Sequence, residues 1–200
     1  MTIKALGAFP QGSIIDPFTG TDGTELPTYD GRWSTMTGVL NCQINTNRAT
    51  GLAGTSVNTW NAQDYGPDMD LWADVGVKPV GTASISLLLK CLQTSDVATL
   101  DGLELIVQTD VGADLWAIFT LLNGVGTQVG TSETQEITAG DGIGLRIRGG
   151  TVQFMYRAGA GAWTKLGALK VTNLMPAAGR IGMAFDSATP AIDYIAAGTL

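Results

Sequence analysis

The sequence predicts an all-β protein in which two antiparallel sheets pack against each other as a sandwich or jelly roll. Glycine supplies 27 of the 200 residues and charged residues only 14%, a composition typical of many short strands joined by tight turns. About a dozen short segments of alternating apolar and polar residues recur at intervals of roughly 8–12 residues. No segment shows the periodicity of an amphipathic helix.

Residues 143–157 carry the strongest of these patterns and predict a hairpin. The two halves of this stretch each alternate with period 2, which indicates two half-buried strands. Gly149 and Gly150 lie between them and suit a two-residue turn that requires positive φ at both positions. Counting back from that turn, the predicted cross-strand pairs are Ile147 with Val152, Leu145 with Phe154, and Ile143 with Tyr156. All six side chains then share one face, which we expect to line the core between the sheets.

The other strands are predicted from weaker alternation. They lie at residues 33–44, 57–60, 69–75, 82–92, 103–109, 115–122, 163–169, 181–185 and 192–197. Residues 115–122 are apolar on both faces, which predicts a central strand covered on both sides. Residues 16–32 are rich in turn-forming dipeptides. We therefore predict an N-terminal arm, residues 1–15, followed by a single jelly-roll domain, residues 16–200.

The N-terminal arm is predicted to be extended and to lie outside the main sheets. It is too apolar for a free tail, yet it follows neither period 2 nor period 3.6 for long. Such a segment becomes ordered in a groove on its own domain or on a neighbouring subunit. We favour the neighbour, because a jelly roll has enough strands to close its own core. We thus expect a homo-oligomer or a particle-bound subunit in which Phe9, Ile14 and Ile15 contact another chain.

Charge and composition argue against several classes of partner. The net charge of −7 disfavours nucleic acid and anionic membrane surfaces. No stretch is long and apolar enough to span a bilayer, and the first residues make a poor signal peptide, so we expect synthesis in the cytosol. Cys42 and Cys91 each lie within an apolar alternation. We expect free thiols packed as small hydrophobic side chains rather than a disulfide.

Two groups of side chains are candidates for surface contacts. Trp163 follows Gly-Ala-Gly-Ala at a loop edge and is the best exposed candidate for stacking on a sugar, although core packing is the commoner role of a tryptophan. Arg146, Arg148 and Arg157 are predicted on the outward side of the hairpin. These arginines form either a solvated face or a contact with an acidic neighbour in an assembly.

The order of several landmarks resembles that of the concanavalin A-like (laminin G-like) jelly roll, in the form found in structural proteins of tailed bacteriophages. The landmarks are Asp16-Pro17-Phe18, Trp33, Trp60-Asn61-Ala62, Tyr65-Gly66-Pro67-Asp68, Ala139-Gly140-Asp141-Gly142, Gly144-Leu145-Arg146-Ile147-Arg148-Gly149, Gly179-Arg180-Ile181-Gly182 and Ile192-Asp193-Tyr194. The resemblance covers residues 16–198. It implies a concanavalin A-like jelly roll made of two packed antiparallel sheets.

The sequence offers little catalytic chemistry. It contains no histidine, which excludes Ser-His-Asp and Cys-His nucleophiles and His-ligated zinc. Enzymes of the resembled fold carry Glu-x-Asp-x-x-Glu on a strand, and this motif is absent. Asp68 and Asp70 are the only acidic pair at positions i and i+2, a pair that could reach the separation of about 5–5.5 Å used by retaining glycosidases. They begin in a Gly-Pro turn without a third carboxylate, so we predict a solvated turn and no catalytic residue.

Calcium is the cofactor that the resemblance brings into question, because carbohydrate-binding and laminin G-like relatives often hold it. The carboxylates that could ligate calcium are Asp16, Asp22 and Glu25 in one loop and Asp64, Asp68 and Asp70 in another. Neither run has the regular oxygen spacing of a calcium loop. Ordinary roles in turns are therefore favoured, and neither a metal site nor another cofactor is predicted.

The resemblance implies a non-enzymatic structural protein of a tailed phage, either a head decoration protein or a tail-associated one. Its partners would be phage capsid or tail proteins, and its location the virion after assembly in the host cytoplasm. Two alternatives stay open. A carbohydrate-binding, lectin-like module for host-surface glycans would present an exposed Trp or Tyr beside Asp and Asn side chains. A glycan hydrolase would present two facing carboxylates in a cleft.

Overall fold

Two antiparallel sheets form the molecule, as the sequence predicts. The computed structural model describes residues 8–109, 113–171 and 176–200, and these contain fourteen strands. In sheet A the spatial order is β12 (Thr164–Lys170), β11 (Thr151–Arg157), β10 (Gly142–Arg148), β5 (Met69–Val77), β14 (Ala191–Thr199), β3 (Ala49–Thr50) and β2 (Gln43–Ile44). Strand β1 (Ser13–Asp16) pairs with another part of β14. In sheet B the order is β4 (Ser56–Tyr65), β13 (Gly179–Phe185), β6 (Ser84–Leu92), β7 (Asp101–Gln108), β8 (Leu115–Leu122) and β9 (Val125–Thr134).

Helical structure in the described residues is limited to two short pieces. One is α1 (Leu26–Tyr29), which lies within the turn-rich stretch, and the other is a 3-10 turn at Val97–Thr99. Neither has the length or the apolar character to cross a bilayer, and no other helix occurs in the part of the chain described.

The predicted hairpin is confirmed residue by residue. Strands β10 and β11 pair Ile147 with Val152, Leu145 with Phe154, and Ile143 with Tyr156. Gly149 and Gly150 connect them with φ of 53° and 80°, the positive values that the primed turn requires. Five of the six paired side chains are fully buried, and Tyr156 is partly buried against the same core.

The main core lies between the two sheets and draws large side chains from both. Trp116, Phe154 and Phe185 are among its fully buried members, and Cys42 belongs to the same cluster. A second, smaller cluster lies on the other face of sheet B. Leu88 alternates with the core residues Leu87 and Leu89 along β6, so it points away from the main core. Its companions in the second cluster are Met36, Val57, Cys91, Leu100 and Ala184.

Two predictions about elements were wrong. Residues 33–44 contain no strand before β2, because most of this segment is a loop that covers the second cluster through Met36 and Val39. Strand β8 is not central, because it has only β9 between it and the edge of sheet B. Leu115, Ala117 and Phe119 are partly exposed on its outer face, while Leu121 packs against the second cluster. The outer face of β8 is therefore only partly covered, and not buried under a second layer as a central strand would be.

The N-terminal arm differs from its predicted form at its end. Ser13–Asp16 forms β1, which pairs antiparallel with β14, Ser13 facing Ala197 and Ile14 facing Ala196. These residues were predicted to lie outside the sheets, because their side chains show no lasting alternation. The pairing needs only backbone groups, and β14 offers an open edge there. The first seven residues of the arm lie outside the described residues.

Candidate functional site

The face of sheet A that points away from the core carries most of the side chains that the sequence marked as candidates. Along β5 and β10 these outward residues alternate with core residues such as Leu71 and Leu145. Pairing between neighbouring strands arranges them in three rows. The rows are Gln153, Arg146, Asp70 and Gly198; Met155, Gly144, Trp72 and Ala196; and Arg157, Gly142, Asp74 and Tyr194.

Arg146 and Asp70 form a buried ion pair in the first row. Arg146 donates from Nε to Oδ1 of Asp70 at 2.8 Å and from Nη2 to Oδ2 at 2.7 Å. The side chains are 7% and 0% exposed. The solvated turn predicted for Asp70 was therefore wrong, and so was the solvated face that was one of the two alternatives for Arg146. Asp70 lies within β5 directly opposite Arg146 on β10, and the chain before β1 covers the pair.

That covering chain, residues 8–12, is called the N-terminal segment here. Arg146 Nη2 donates to the carbonyl of Ala8 at 3.2 Å, and the amide of Gln11 donates to Asp70 Oδ2 at 2.7 Å. The Phe9 ring lies between two tryptophans, with ring centres 6.1 Å from Trp72 and 4.8 Å from Trp163. The segment thus lies across the outer face of its own sheet, held by aromatic and polar contacts.

The other residues predicted to contact another chain differ in their surroundings. Phe9 contacts its own chain and is partly buried. Ile15 packs against the main core, whereas Ile14 is 56% exposed on the same strand. Arg148 is partly exposed at the end of β10. Contact of any of these residues with a second chain stays a prediction.

Trp163 is partly exposed at the end of the loop that leads into β12. The sequence predicted this position at the edge of a loop. The guanidinium carbon of Arg157 lies 5.1 Å from its ring centre, and Phe9 meets it edge to face. Arg157 is in turn fixed by two hydrogen bonds from Nη2 to Asp74, at 2.5 and 2.6 Å. One face of the indole is therefore already stacked, and glycan contact at Trp163 stays a prediction.

A second candidate site is an open groove at one end of sheet B. We call it the Arg180 groove. It has a volume of about 380 Å³ and is lined by Asp64, Cys91, Leu92, Gln93, Thr94, Ser95 and Arg180. Strand β13 supplies Arg180 at its start and β4 supplies Asp64 near its end. The last residues of β6 and the three residues that follow it supply the rest. Unlike the outer face of sheet A, this groove is open.

The guanidinium of Arg180 is held in a fixed direction at the wall of the groove. Its Nη1 donates to Asn61 Oδ1 at 2.5 Å and to Thr94 Oγ1 at 2.6 Å. Nε lies 4.0 Å from a carboxylate oxygen of Asp64, and the two side chains are 37% and 66% exposed. Within the described residues both strong bonds use Nη1, which leaves Nη2 available to a ligand.

The Arg180 groove was not predicted from the sequence. Arg180 appeared there only as part of a landmark, and Asn61 lies 119 positions away from it. No local pattern links the two residues, because their proximity depends on β13 pairing with β4 and β6. The available signal was weak: one arginine at the start of a predicted strand in an acidic chain.

Sheet B also carries a lone carboxyl group on its outer face. Glu104 borders an apolar pocket of about 150 Å³ beside the second cluster, with Leu88, Val97, Leu100 and Leu121. Burial raises the pKa of the Glu104 carboxyl, and a hydrogen bond with Ser86 lowers it in part. No second carboxylate contributes to this shift within the described residues. Glycoside hydrolysis by the usual route requires two carboxyl groups, so Glu104 alone does not supply that chemistry.

The six carboxylates considered for calcium do not converge. In the first loop, Asp16 accepts from the indole N–H of Trp33, Asp22 from the backbone amide of Thr46, and Glu25 from the side-chain amide of Asn41. In the second, Asp64 lies near the guanidinium of Arg180, Asp68 accepts from the backbone amide of Gly149, and Asp70 accepts from the guanidinium of Arg146. In the part of the chain that the structure describes, no group of three or more acidic or thiol side chains is placed to hold a metal ion.

Comparison with known proteins bears on the fold. No protein-family model matches the sequence, and no curated protein matches it. Solved structures do match. A carbohydrate-binding module of family CBM66 from Bacillus subtilis has a TM-score of 0.61 at 15% identity, over 83% of this chain and 94% of that one. The exoplasmic/lumenal domain of VIP36, in a form bound to Ca²⁺ and Man2, has a TM-score of 0.62 at 12% identity, over 94% of this chain and 87% of that one.

A third structure extends the comparison. The legume lectin-like domain from Entamoeba histolytica has a TM-score of 0.57 at 7% identity, over 88% of this chain and 96% of that one. At such low identities the likeness is one of fold, and each of these proteins is matched over most of its length. This chain therefore has a lectin-like jelly-roll fold, as the sequence predicted.

Proposed function

We propose that this chain is a non-enzymatic carbohydrate-binding module whose ligand lies in the Arg180 groove. The observation that carries the proposal is the guanidinium of Arg180, held by Asn61 and Thr94 at the wall of an open polar groove. The similar structures named above include a carbohydrate-binding module, the VIP36 domain in its Ca²⁺- and Man2-bound form, and a legume lectin-like domain. Their fold supports the proposal, and their sequences share too little with this chain to identify a ligand.

The chemistry of the groove suits the hydroxyl groups of a sugar. Arg180 supplies donors, Asp64 supplies acceptors, and the side chains of Gln93 and Ser95 supply both. Leu92 is 41% exposed at the same place and gives the C–H face of a sugar ring an apolar contact. The volume of about 380 Å³ lies in the range of about 300–1,000 Å³ typical of small-molecule sites.

Replacing Arg180 by alanine is expected to weaken glycan binding about 10- to 100-fold, because a charge-assisted hydrogen bond contributes about 1.5–3 kcal/mol. Binding is first located on a glycan array and then measured by titration of the best ligand. Arg48→Ala is the matched control, because Arg48 is also partly exposed and has an acidic partner, Asp193, but lies by sheet A. The control variant should bind like the unchanged chain.

Three results would contradict the proposal. They are the absence of any bound glycan on the array, equal affinity of Arg180→Ala and the unchanged chain, and release of reducing sugar from a bound glycan. The titration is repeated with calcium and with a chelator, because the VIP36 structure contains Ca²⁺. Since no cluster of acidic side chains among the described residues is placed to hold a metal ion, we expect the same glycan affinity with calcium and with the chelator.

The second candidate function is a structural part of a tailed-phage particle, and an open sheet edge favours it. Strand β9 pairs with β8 on one side only, and residues 125–132 carry no charge. Leu122 and Val125, at the turn before it, are each 66% exposed. The edge strand of sheet A beside it, β12, contacts β9 and carries Lys165 and Lys170, the charges that commonly protect an edge from pairing. The uncharged residues 125–132 of this edge suit addition of a strand from a neighbouring subunit in a particle, although Glu133 and the contact with β12 lie at one end of β9.

We expect Thr131→Lys to abolish association through β9, because a lysine on an edge strand disfavours pairing with another strand. Thr131 is exposed, so the fold should be unaffected. Sedimentation velocity over a concentration series measures the association, with Thr21→Lys in an exposed loop as the control for added charge. Association that persists in Thr131→Lys, or that is lost equally in the control, would argue against a role for this edge.

A further inference from the structure

We propose that the outer face of sheet A is a peptide-binding slot, and that the N-terminal segment of a second copy of this chain can occupy it in place of the chain's own. The slot consists of Trp72, Trp163, Arg146, Asp70 and Gly144. The partner is therefore another copy of this chain, and its ligand group is an extended backbone that carries a phenylalanine. This inference is independent of glycan binding.

The contacts of the N-terminal segment are those of a bound peptide. The Phe9 ring is enclosed by Trp72, Trp163 and the guanidinium of Arg146, whose central carbon lies 5.4 Å from the ring centre. On either side of this ring the slot binds backbone groups. The carbonyl of Ala8 accepts from Arg146, and the amide of Gln11 donates to Asp70. One aromatic anchor with flanking main-chain bonds is a common way to bind an extended peptide.

The floor of the slot is shaped for close approach of a chain. A Cβ on Gly144 would lie 3.1 Å from the Phe9 ring, and one on Gly198 would lie 2.4 Å from the carbonyl oxygen of Gln11. Both glycines lie in the outward rows of sheet A. A side chain at Gly198 would displace the segment, and one at Gly144 would press on both Trp72 and the Phe9 ring. The surface thus accommodates a backbone lying across the strands.

The N-terminal segment can leave without opening the core. Among the described residues, the main cluster includes nothing before Ile15. Strand β1 stays paired with β14, so the chain remains attached at Ser13. Gly12 separates the two parts and has φ of 139°, a conformation that favours glycine and makes it a natural pivot. Exchange thus needs rotation at one residue and leaves the two sheets intact.

Exchange between two copies conserves every contact. Each segment would leave its own slot and fill the slot of the other copy, which requires the two outer faces to meet about a two-fold axis. The bonds are the same whether a segment fills its own slot or that of the other copy. The short connection to β1 holds the chain's own segment near its slot at an effective concentration of about millimolar, which favours self-occupancy. Free chains should therefore be mostly monomeric, and exchange should appear where copies are crowded or where self-occupancy is weakened.

The test uses two full-length variants that complement each other. Phe9→Ala retains the slot but loses the anchoring ring, whereas Trp163→Ala retains the segment but loses one wall of the slot. Each variant alone should sediment as a monomer, and an equimolar mixture should contain a 1:1 heterodimer. A heterodimer in the mixture supports exchange. A mixture that stays monomeric over the whole concentration series would overturn it.

A peptide of residues 6–13 tests the slot directly. It should bind the full-length Phe9→Ala chain at least about tenfold more tightly than the same peptide with alanine at Phe9, because the ring makes two aromatic pairs. Isothermal titration measures both affinities. Equal binding of the two peptides would overturn the slot itself.

If Phe9→Ala misfolds by circular dichroism, Gln11→Pro replaces it in both experiments, since it removes the backbone amide that donates to Asp70.

Discussion

Replacing Phe154 by alanine is expected to lower the free energy of unfolding by about 3–5 kcal/mol, the usual cost of removing a buried aromatic side chain. Phe154 is fully buried in the main core and lies opposite Leu145 in the central hairpin. Alanine would remove its apolar contacts and leave a cavity between two sheets that cannot collapse independently. Urea unfolding followed by circular dichroism measures the change.

The matched control is Phe119→Ala. Phe119 is the same residue type in a sheet B strand, but its side chain lies on the partly exposed outer face of β8. We expect a distinctly smaller loss of stability there, because less apolar surface returns to water. Equal losses for the two variants would contradict the location of the core between the sheets.

Replacing Asp70 by asparagine is expected to cost about 3–5 kcal/mol, although it changes only one atom of the side chain. The substitution leaves the guanidinium of Arg146 buried without its counter-charge, and the cost of that desolvation is no longer offset. The amide of Gln11 would also face a weaker acceptor. The loss is measured by the same urea unfolding experiment.

Two further variants show whether the buried charge is the cause. The double variant Asp70→Asn with Arg146→Met should be more stable than Asp70→Asn alone, because it removes the unpaired charge. Asp30→Asn should cost about 1 kcal/mol or less, because Asp30 pairs with an arginine that is 60% exposed. A double variant less stable than Asp70→Asn would mean that packing, rather than charge, dominates at this place.

The sequence predicted the parts of the fold that depend on neighbouring residues. The hairpin register follows from a two-glycine turn and a period-2 pattern on each side, all within fifteen positions along the chain, and the structure has that register. Strand β8 was predicted with its observed bounds for the same reason. Its place near the edge was not, because the choice of sheet neighbours depends on the whole topology.

Side-chain partners on neighbouring strands that are distant in the sequence could not be predicted. Asp70 and Arg146 are 76 positions apart, and nothing near either residue shows that β5 and β10 are neighbours. The sequence marked Phe9, Arg146 and Trp163 as surface candidates, and the structure brings all three together on one face. It could not show that the N-terminal segment would cover that face, because cover of this kind leaves no periodic pattern in the residues that provide it.

The two cysteines make the chain a reporter of its own partial unfolding. Cys42 lies in the main core and Cys91 in the second cluster, both are free, and burial raises the pKa of both thiols. A thiol reagent can modify either one only after its surroundings open and a thiolate forms. Cys91 lies on the outer face of sheet B, at the edge of the Arg180 groove, whereas Cys42 lies in the main core, so we expect the smaller opening to expose Cys91. The ratio of their labelling rates under native conditions, each rate divided by that of the same thiol in the unfolded chain, therefore gives the difference between the free energies of opening at the two sites.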